Sequence, residues 1–151
     1  MEIKVATLED VPALLDLQRK AFGPQCRELD FMDALPMTET LEQAYEEFKS
    51  YTTYKVEGPD GRIVGSIRGN VTEGSLWMAR LMVLPEYWGQ GIGKFLFREL
   101  QKRHSHTRAW LCTCPQVPAP YQFYLREGFK VFKSEEIGHG LTWVYMEKIK
   151  E

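Results

Sequence analysis

The sequence predicts an α+β fold with a central mixed, mostly antiparallel sheet of about six to seven strands flanked by about four helices. Three observations support it. From Thr52 to Glu57 apolar and polar residues alternate with a period of two, and a turn then leads into Ile63 to Val71, as in an antiparallel hairpin. The next run, Leu76 to Leu84, is almost continuously apolar, as in a buried strand. Glycines 89, 91 and 93 then join it to a helical pattern that holds Ile92, Phe95, Leu96 and Leu100.

The N-terminal third predicts one short strand and two helices. Residues 3–6 form the strand, and Thr7-x-x-Asp10 caps a helix that Gly23-Pro24 ends. After an irregular segment, Thr38 caps a second helix that runs to about Phe48.

The remaining elements follow from turn residues and from changes of period. Turns at residues 58–61 and 72–74 connect three antiparallel strands, the last of which feeds the glycine-rich segment. A helix from about Gly91 leads to a strand over residues 109–114, and a short helix then runs through Glu127 and stops at Gly128. Two more strands complete the chain, over residues 129–133 and 141–149.

Size and charge limit the function classes. A chain of 151 residues with 44% hydrophobic content fits one domain, over residues 1–151. A net charge of −2 gives no case for binding nucleic acid or an anionic membrane, and no apolar run approaches membrane-spanning length. Three cysteines make neither a disulfide framework nor a zinc site. We therefore expect a soluble, cytoplasmic protein without a metal, acting on a small molecule or a peptide.

The glycine-rich joint at residues 89–93 is suited to binding an anion. Alternating glycines remove side chains at a helix start, so that backbone N–H groups without a helical partner can approach a phosphate. The spacing does not match a P-loop, because Gly93-Lys94 is followed by Phe95. It does not match a dinucleotide fingerprint either, because the final glycine would fall on Lys94 or Leu96. The predicted ligand is a phosphate or a pyrophosphate.

Two motifs together resemble the GNAT superfamily of acyl-CoA-dependent N-acyltransferases. The first is Trp88-Gly89-Gln90-Gly91-Ile92-Gly93, which is similar to that family's phosphate-binding motif except that Trp88 replaces Gln or Arg. The second is the segment 123–129, FYLREGF, which resembles the family's Tyr-x-x-x-Gly-Phe signature. Pro120 and Val117 depart from the residues that usually precede it. The order of elements around both motifs also matches.

The resemblance implies that acetyl-CoA is the co-substrate. It implies that backbone groups of Leu81, Met82 and Val83 hold the thioester carbonyl and the pantetheine arm, in a splay between that strand and the strand at 109–114. The coenzyme pyrophosphate would bind at Trp88, Gly89, Gln90, Gly91, Ile92, Gly93 and Lys94. Tyr124 matches the tyrosine that protonates the departing thiolate. Trp77 occupies the position where some members carry a catalytic Glu, so a water relay would have to remove the amine proton.

The acceptor side is less defined. We expect Glu28, Phe31, Tyr45 and Trp77 to contribute to it, although solvation of the acid and core packing of the aromatic residues are alternative roles. The predicted reaction moves an acetyl group from acetyl-CoA to a primary amine of a small molecule or peptide, by direct transfer in a ternary complex. The alternative is a non-catalytic acyl-CoA-binding or sensor module on the same fold. A homodimer is a further expectation.

Overall fold

The computed structural model describes residues 1–150. Its seven strands form one sheet in the order β1-β2-β3-β4-β5-β7-β6. Their bounds are β1 Lys4–Val5, β2 Thr52–Glu57, β3 Ile63–Thr72, β4 Ser75–Val83, β5 Arg108–Thr113, β6 Lys130–Gly138 and β7 Leu141–Ile149. All neighbouring strands are antiparallel except β4 and β5, which are parallel. The predicted mixed, mostly antiparallel sheet is therefore confirmed.

Five α-helices accompany the sheet, one more than the sequence predicts. They are α1 Val11–Glu28, α2 Leu35–Thr38, α3 Leu41–Phe48, α4 Ile92–Arg103 and α5 Pro118–Arg126. Helices α1 and α4 both pack on β3 and β4. They cover opposite faces, because Ser66 and Arg68 face α1 whereas Gly65 and Gly69 face α4. Within residues 1–150, no helix is both long enough and apolar enough to cross a membrane.

Close packing of α4 on the sheet depends on two glycines of β3. A Cβ atom on Gly65 would lie 2.8 Å from Cγ2 of Ile92, and one on Gly69 would lie 3.1 Å from Cδ2 of Leu100. Because these two positions carry no side chain, Leu96 and Leu100 of α4 pack closely against the sheet, and both are 0% exposed. The contact fixes α4, and hence its N-terminus, against the strand that precedes it.

The first helix does not end where the sequence predicts. Helix α1 continues past Gly23-Pro24 to Glu28, with Pro24 inside it. Proline lacks the N–H that would bond to the carbonyl of Lys20, which normally favours a break. Here Gly23 and Cys26 are buried on the inner face of the helix, so packing of the last turn outweighs the lost bond.

The second predicted helix is also placed differently. Its first residues form the separate turn α2, and Thr40, not Thr38, caps α3. The Thr40 hydroxyl accepts a hydrogen bond from the Gln43 N–H at 3.1 Å, and the Gln43 side chain accepts one from the Thr40 N–H at 2.9 Å. This reciprocal capping box satisfies two backbone donors at the helix start. The sequence prediction missed it because Thr38 and Thr40 are both capping residue types.

Candidate active site

An opening in the sheet separates β4 from β5. The two strands pair only at Ser75 with Arg108, Leu76 with Ala109, and Trp77 with Trp110. Beyond these pairs β4 runs on to Val83, while β5 stays paired with β7 along its whole length. The facing edges of β4 and β5 therefore carry backbone groups that an extended ligand can hydrogen-bond as an added strand would.

A β-bulge in β4 lies at this opening. Between the pairs Ser66–Met82 and Arg68–Ala79, β4 contains one more residue than β3. The extra residue lets Arg80 adopt a φ of +52°, a left-handed conformation that is strained for a residue with a side chain. Bulges re-aim side chains and interrupt a ladder, and they are frequent beside active sites. The predicted residues Leu81, Met82 and Val83 follow directly along the open edge.

The loop from Trp88 to Lys94 presents unpaired donors. Gly89 and Gly91 both have a φ of +81°, where a Cβ would be strained. The first hydrogen bond of α4 runs from the Phe95 N–H to the Gly91 carbonyl at 3.0 Å. Within residues 1–150, the backbone N–H groups of residues 89–94 consequently have no acceptor. Because free N–H groups and the helix dipole attract negative charge, residues 88–94, termed the anion-binding loop below, are suited to an anionic group.

Trp88, the residue that departs from the family motif, contacts the end of β4. Its indole Nε1 donates a hydrogen bond to the Val83 carbonyl at 2.8 Å, while 55% of the residue remains exposed. The side chain thus ties the anion-binding loop to the open strand edge and uses one of the two lone pairs of the Val83 carbonyl.

Tyr124 lies on α5, the helix that follows β5. Its ring packs 5.4 Å from that of Phe97 on α4 and 5.5 Å from that of Phe123. Burial raises the pKa of Tyr124 to about 12 because the phenolate would lose its hydration, although part of the residue stays accessible. Its phenol is therefore protonated over the physiological pH range.

The four residues expected on the acceptor side do not form one cluster. Phe31 stacks on His139, with ring centroids 4.5 Å apart, and so joins the segment after α1 to the turn between β6 and β7. Trp77 instead contacts Trp110, at 4.5 Å between ring centroids, and lines a separate recess with Arg108. Glu28 is exposed at the end of α1, and Tyr45 is half-buried on α3.

A polar cavity under α1 and α3 was missed at the sequence level. Its volume is about 40 Å³, and its polar lining comprises Gln18, Glu39, Thr53, Ser66, Arg68 and Arg80. One signal was available, because Arg80 is the only charged residue in the run Leu76 to Leu84. Arg68 and Glu39 reach the cavity only through tertiary packing. Within residues 1–150, no group of three or more His, Cys, Asp or Glu side chains could hold a metal ion.

Solved structures with the same fold include several acetyltransferases. The PaiA N-acetyltransferase of Thermoplasma acidophilum, solved with coenzyme A, has a TM-score of 0.80 at 21% identity, with 99% of each chain covered. The ribosomal-protein-S18-alanine N-acetyltransferase of Escherichia coli has a TM-score of 0.75 at 19% identity, covering 99% of this chain and 94% of that one. A phosphinothricin acetyltransferase of Sinorhizobium meliloti, solved with acetyl-CoA, has a TM-score of 0.76 at 15% identity, covering 99% and 88%.

Family-level similarity covers most of the sequence. No curated protein sequence matches the chain significantly. The family model described as the acetyltransferase (GNAT) domain matches residues 25–150, a range that contains the strand opening, the anion-binding loop and Tyr124. The chain therefore belongs to the GNAT acetyltransferase family.

Proposed function

We propose that this chain is an N-acetyltransferase that moves an acetyl group from acetyl-CoA to a primary amine of a small molecule or peptide, by direct transfer in a ternary complex. The observation that carries the proposal is the opening between β4 and β5 beside six unpaired backbone N–H groups at residues 89–94. Acetyl-CoA is the co-substrate of the GNAT family. Its extended pantetheine arm suits the open strand edges, and its pyrophosphate suits the loop.

The coenzyme would lie along β4. The free N–H groups of residues 89–94 would bind the pyrophosphate, and Lys94 adds a positive charge at the same helix start. The pantetheine arm would hydrogen-bond the edge formed by Leu81, Met82 and Val83. A backbone N–H on that edge would polarise the thioester carbonyl, because it would donate to the oxygen that becomes negative during attack.

The transfer itself needs a neutral amine and a proton for sulfur. The amine nitrogen attacks the thioester carbon, the C–N bond forms, and the C–S bond breaks with its electron pair on sulfur. The nitrogen loses one proton to water, because the residue at the family's Glu position is Trp77. The thiolate gains one proton from Tyr124, which is replenished from solvent.

The raised pKa of Tyr124 affects how it protonates the departing thiolate. With a pKa of about 12, the phenol holds its proton more tightly than a cysteine-like thiol, which titrates at about 8.5 in water. Burial of the coenzyme thiolate would raise the pKa of the thiol as well, so the pKa values of the phenol and the thiol would lie closer together. Tyr124 would therefore stabilise the leaving sulfur first as a hydrogen-bond donor and then complete the proton transfer.

The experiment is a thiol-release assay with acetyl-CoA and a panel of polyamines, aminoglycosides, amino acids and peptides, run beside a coenzyme A binding measurement. Amine-dependent release supports the enzyme. Coenzyme binding without amine-dependent release across the panel supports the non-catalytic module instead, and absence of both contradicts the coenzyme site. Light scattering in the same buffer measures whether the chain forms the proposed homodimer.

The cysteines support a cytoplasmic setting. Cys26, Cys112 and Cys114 are all free thiols within the described structure. Free thiols persist where the redox environment is reducing.

A further inference from the structure

Two arginines meet at the cavity beneath α1 and α3. Arg68 on β3 pairs with Ala79 across the sheet, and Arg80 is the next residue of β4, at the bulge. Both side chains line the cavity, on the sheet face that α1 covers. Arg80 also directly precedes Leu81, where the proposed thioester edge begins.

Few close ion pairs reach the guanidinium groups of Arg68 and Arg80, although the charges of Glu39 and Glu47 act on Arg80 from a greater distance. Within residues 1–150, Arg80 makes no ion pair within 4.0 Å and no side-chain hydrogen bond, and its nitrogens, unlike Arg68 Nε, are not fully closed off from solvent. Burial, and then the charge of Arg68, lowers its pKa from the usual arginine value. The nearest carboxylate to Arg68 is Glu47 Oε2, 3.7 Å from Nη2, and the Glu47 side chain is 50% exposed. The guanidinium of Arg68 also lies 4.2 Å above the Tyr51 ring, which orients it without neutralising it.

Two buried polar atoms at the same cavity lack partners. The Arg68 Nε and the Thr53 hydroxyl oxygen are both inaccessible and make no hydrogen bond. Thr53 is only 5% exposed. Buried polar groups are normally hydrogen-bonded, so these two atoms offer a donor and a hydroxyl to a polar group that enters the cavity.

The cavity's own carboxylate does not satisfy these donors. Glu39 is 3% exposed, and its Oε1 accepts a hydrogen bond from the Gln18 side chain at 2.9 Å. It makes no ion pair with Arg68 or Arg80 in the described chain. The cavity lining therefore combines two cations with one carboxylate that is already hydrogen-bonded, and the half-exposed Glu47 approaches Arg68 from outside the lining. Its 40 Å³ exceeds the roughly 10–15 Å³ that one water needs, and leaves room for a group of a few atoms.

We infer that the acceptor carries an anionic group, a carboxylate or a phosphate-like group, which Arg68, Arg80 and the Thr53 hydroxyl bind beside its amine. This inference rests on the proposed function and names its substrate class. Guanidinium groups suit such ligands because they donate two parallel hydrogen bonds to a carboxylate or phosphate. Met82, a residue of the proposed thioester edge, lines the same cavity as Arg80, so an anion bound in the cavity lies beside that edge and an amine on the same small molecule can reach it. Polyamines are disfavoured because their charges repel the arginine pair.

The test compares matched acceptors on the intact protein. Glycine, β-alanine and γ-aminobutyrate are each assayed beside their carboxamides, with 2-aminoethylphosphonate as the phosphate-like probe and spermidine as the polycation. We expect at least one anionic amine to exceed its uncharged counterpart tenfold or more in kcat/KM. The anion that the site favours is identified by whether the carboxylates or the phosphonate reach the higher kcat/KM. Equal kcat/KM for acids and amides overturns the inference.

Substitutions of the two arginines test whether they cause the preference for anionic amines. Arg80→Gln and Arg68→Gln should each reduce the acid-to-amide ratio to within about threefold, with the KM for acetyl-CoA unchanged. The control Arg62→Gln, which alters an exposed arginine, should keep the wild-type ratio. A merely structural role for the arginines would lower both rates together and leave the ratio intact, which contradicts the inference. The wild-type comparison needs no variant, so it stands if one substitution prevents folding.

A binding measurement separates this inference from the proposed reaction. Thermal unfolding of the coenzyme A-loaded protein is followed with each probe, since a ligand that binds the folded state raises the melting temperature. Acid-selective stabilisation that is lost in Arg80→Gln, without acetyl transfer to these probes or to any amine of the wider panel, supports the anion site and contradicts the reaction. Acetyl transfer to amines irrespective of their charge, without acid-selective stabilisation, supports the reaction and refutes the anion site. Neither transfer nor stabilisation by any anionic probe overturns both.

Discussion

Tyr124 makes the sharpest single-residue test of the proposed chemistry. Replacing it with Phe removes the hydroxyl and keeps the ring contacts with Phe97 and Phe123. We expect kcat to fall at least about tenfold, because a positioned general acid usually contributes about 10²–10⁴-fold, with the KM for acetyl-CoA nearly unchanged. Steady-state kinetics of Tyr124→Phe measures this, with Tyr121→Phe on the same helix as the control. An unchanged kcat removes Tyr124 from the mechanism.

Cys112 tests whether a covalent acetyl-enzyme competes with direct transfer. Burial raises the pKa of its thiol to about 11, so the reactive thiolate is almost absent near neutral pH and increases only as the pH approaches that value. At pH 8 we expect Cys112 to react with iodoacetamide about a hundredfold more slowly than a free cysteine, whose pKa is about 8.5.

Peptide mass spectrometry after timed labelling distinguishes Cys112 from the other two thiols, and labelling in denaturant provides the reference rate. Native Cys112 that reacts as fast as the denatured chain would contradict its burial and would favour a cysteine nucleophile over direct transfer.

At the scale of elements, the conformation of the anion-binding loop depends more on Gly91 than on Gly93. Gly91 has a φ of +81°, so Gly91→Ala costs about 1–2 kcal/mol in strain or moves the N–H groups out of line. A Cβ on Gly93 would make an ordinary 3.8 Å contact with Val83 Cγ2. We therefore expect Gly91→Ala to weaken coenzyme A binding at least about tenfold and Gly93→Ala to change it little, as measured by calorimetry. Equal effects of the two substitutions would refute a backbone cradle.

Helix α1 offers a stability test of its unexpected length. In Pro24→Ala the new N–H can donate to the Lys20 carbonyl within a helix that already exists. The gain of about 3 kcal/mol from removing an interior proline is partly offset by the more flexible unfolded chain. We expect the free energy of unfolding to rise by about 1–2 kcal/mol in urea titrations. Pro118→Ala, at the start of α5, restores no helical bond and should be neutral or slightly destabilising.

Which elements the sequence predicts depends on how local their causes are. The hairpins, the glycine loop and α5 follow from turn residues and short spacings, and the structure places them within a few residues of prediction. The predicted end of α1 was wrong, because Gly23-Pro24 is a local stop signal, whereas the burial of Cys26 that extends the helix is a tertiary effect. The bulge at Arg80 depends on the register between β3 and β4, and the Trp88 bond to Val83 depends on where the loop folds back.

At the scale of the whole molecule, the candidate site lies where the sheet is discontinuous. Strands β1 to β4 form one antiparallel unit, strands β5 to β7 form another, and three residue pairs between β4 and β5 join them. Helix α4 fixes the anion-binding loop to the first unit, and Phe97 of α4 contacts Tyr124 of α5. Packing of buried apolar residues thus links the loop, the strand edge and the helix that carries Tyr124, so the proposed catalysis would depend on the same contacts as folding.

Acetyl transfer to nitrogen is the central claim, and mass analysis of the acceptor tests it most directly. The protein is incubated with isotopically labelled acetyl-CoA and the amine panel, and acetylated amine is quantified beside released coenzyme A. We predict labelled acetyl-amine in a one-to-one ratio with free thiol, at a rate that falls at least about tenfold in Tyr124→Phe. Coenzyme A binding with no acetylated amine above the uncatalysed background, for any acceptor in the panel, would contradict the account.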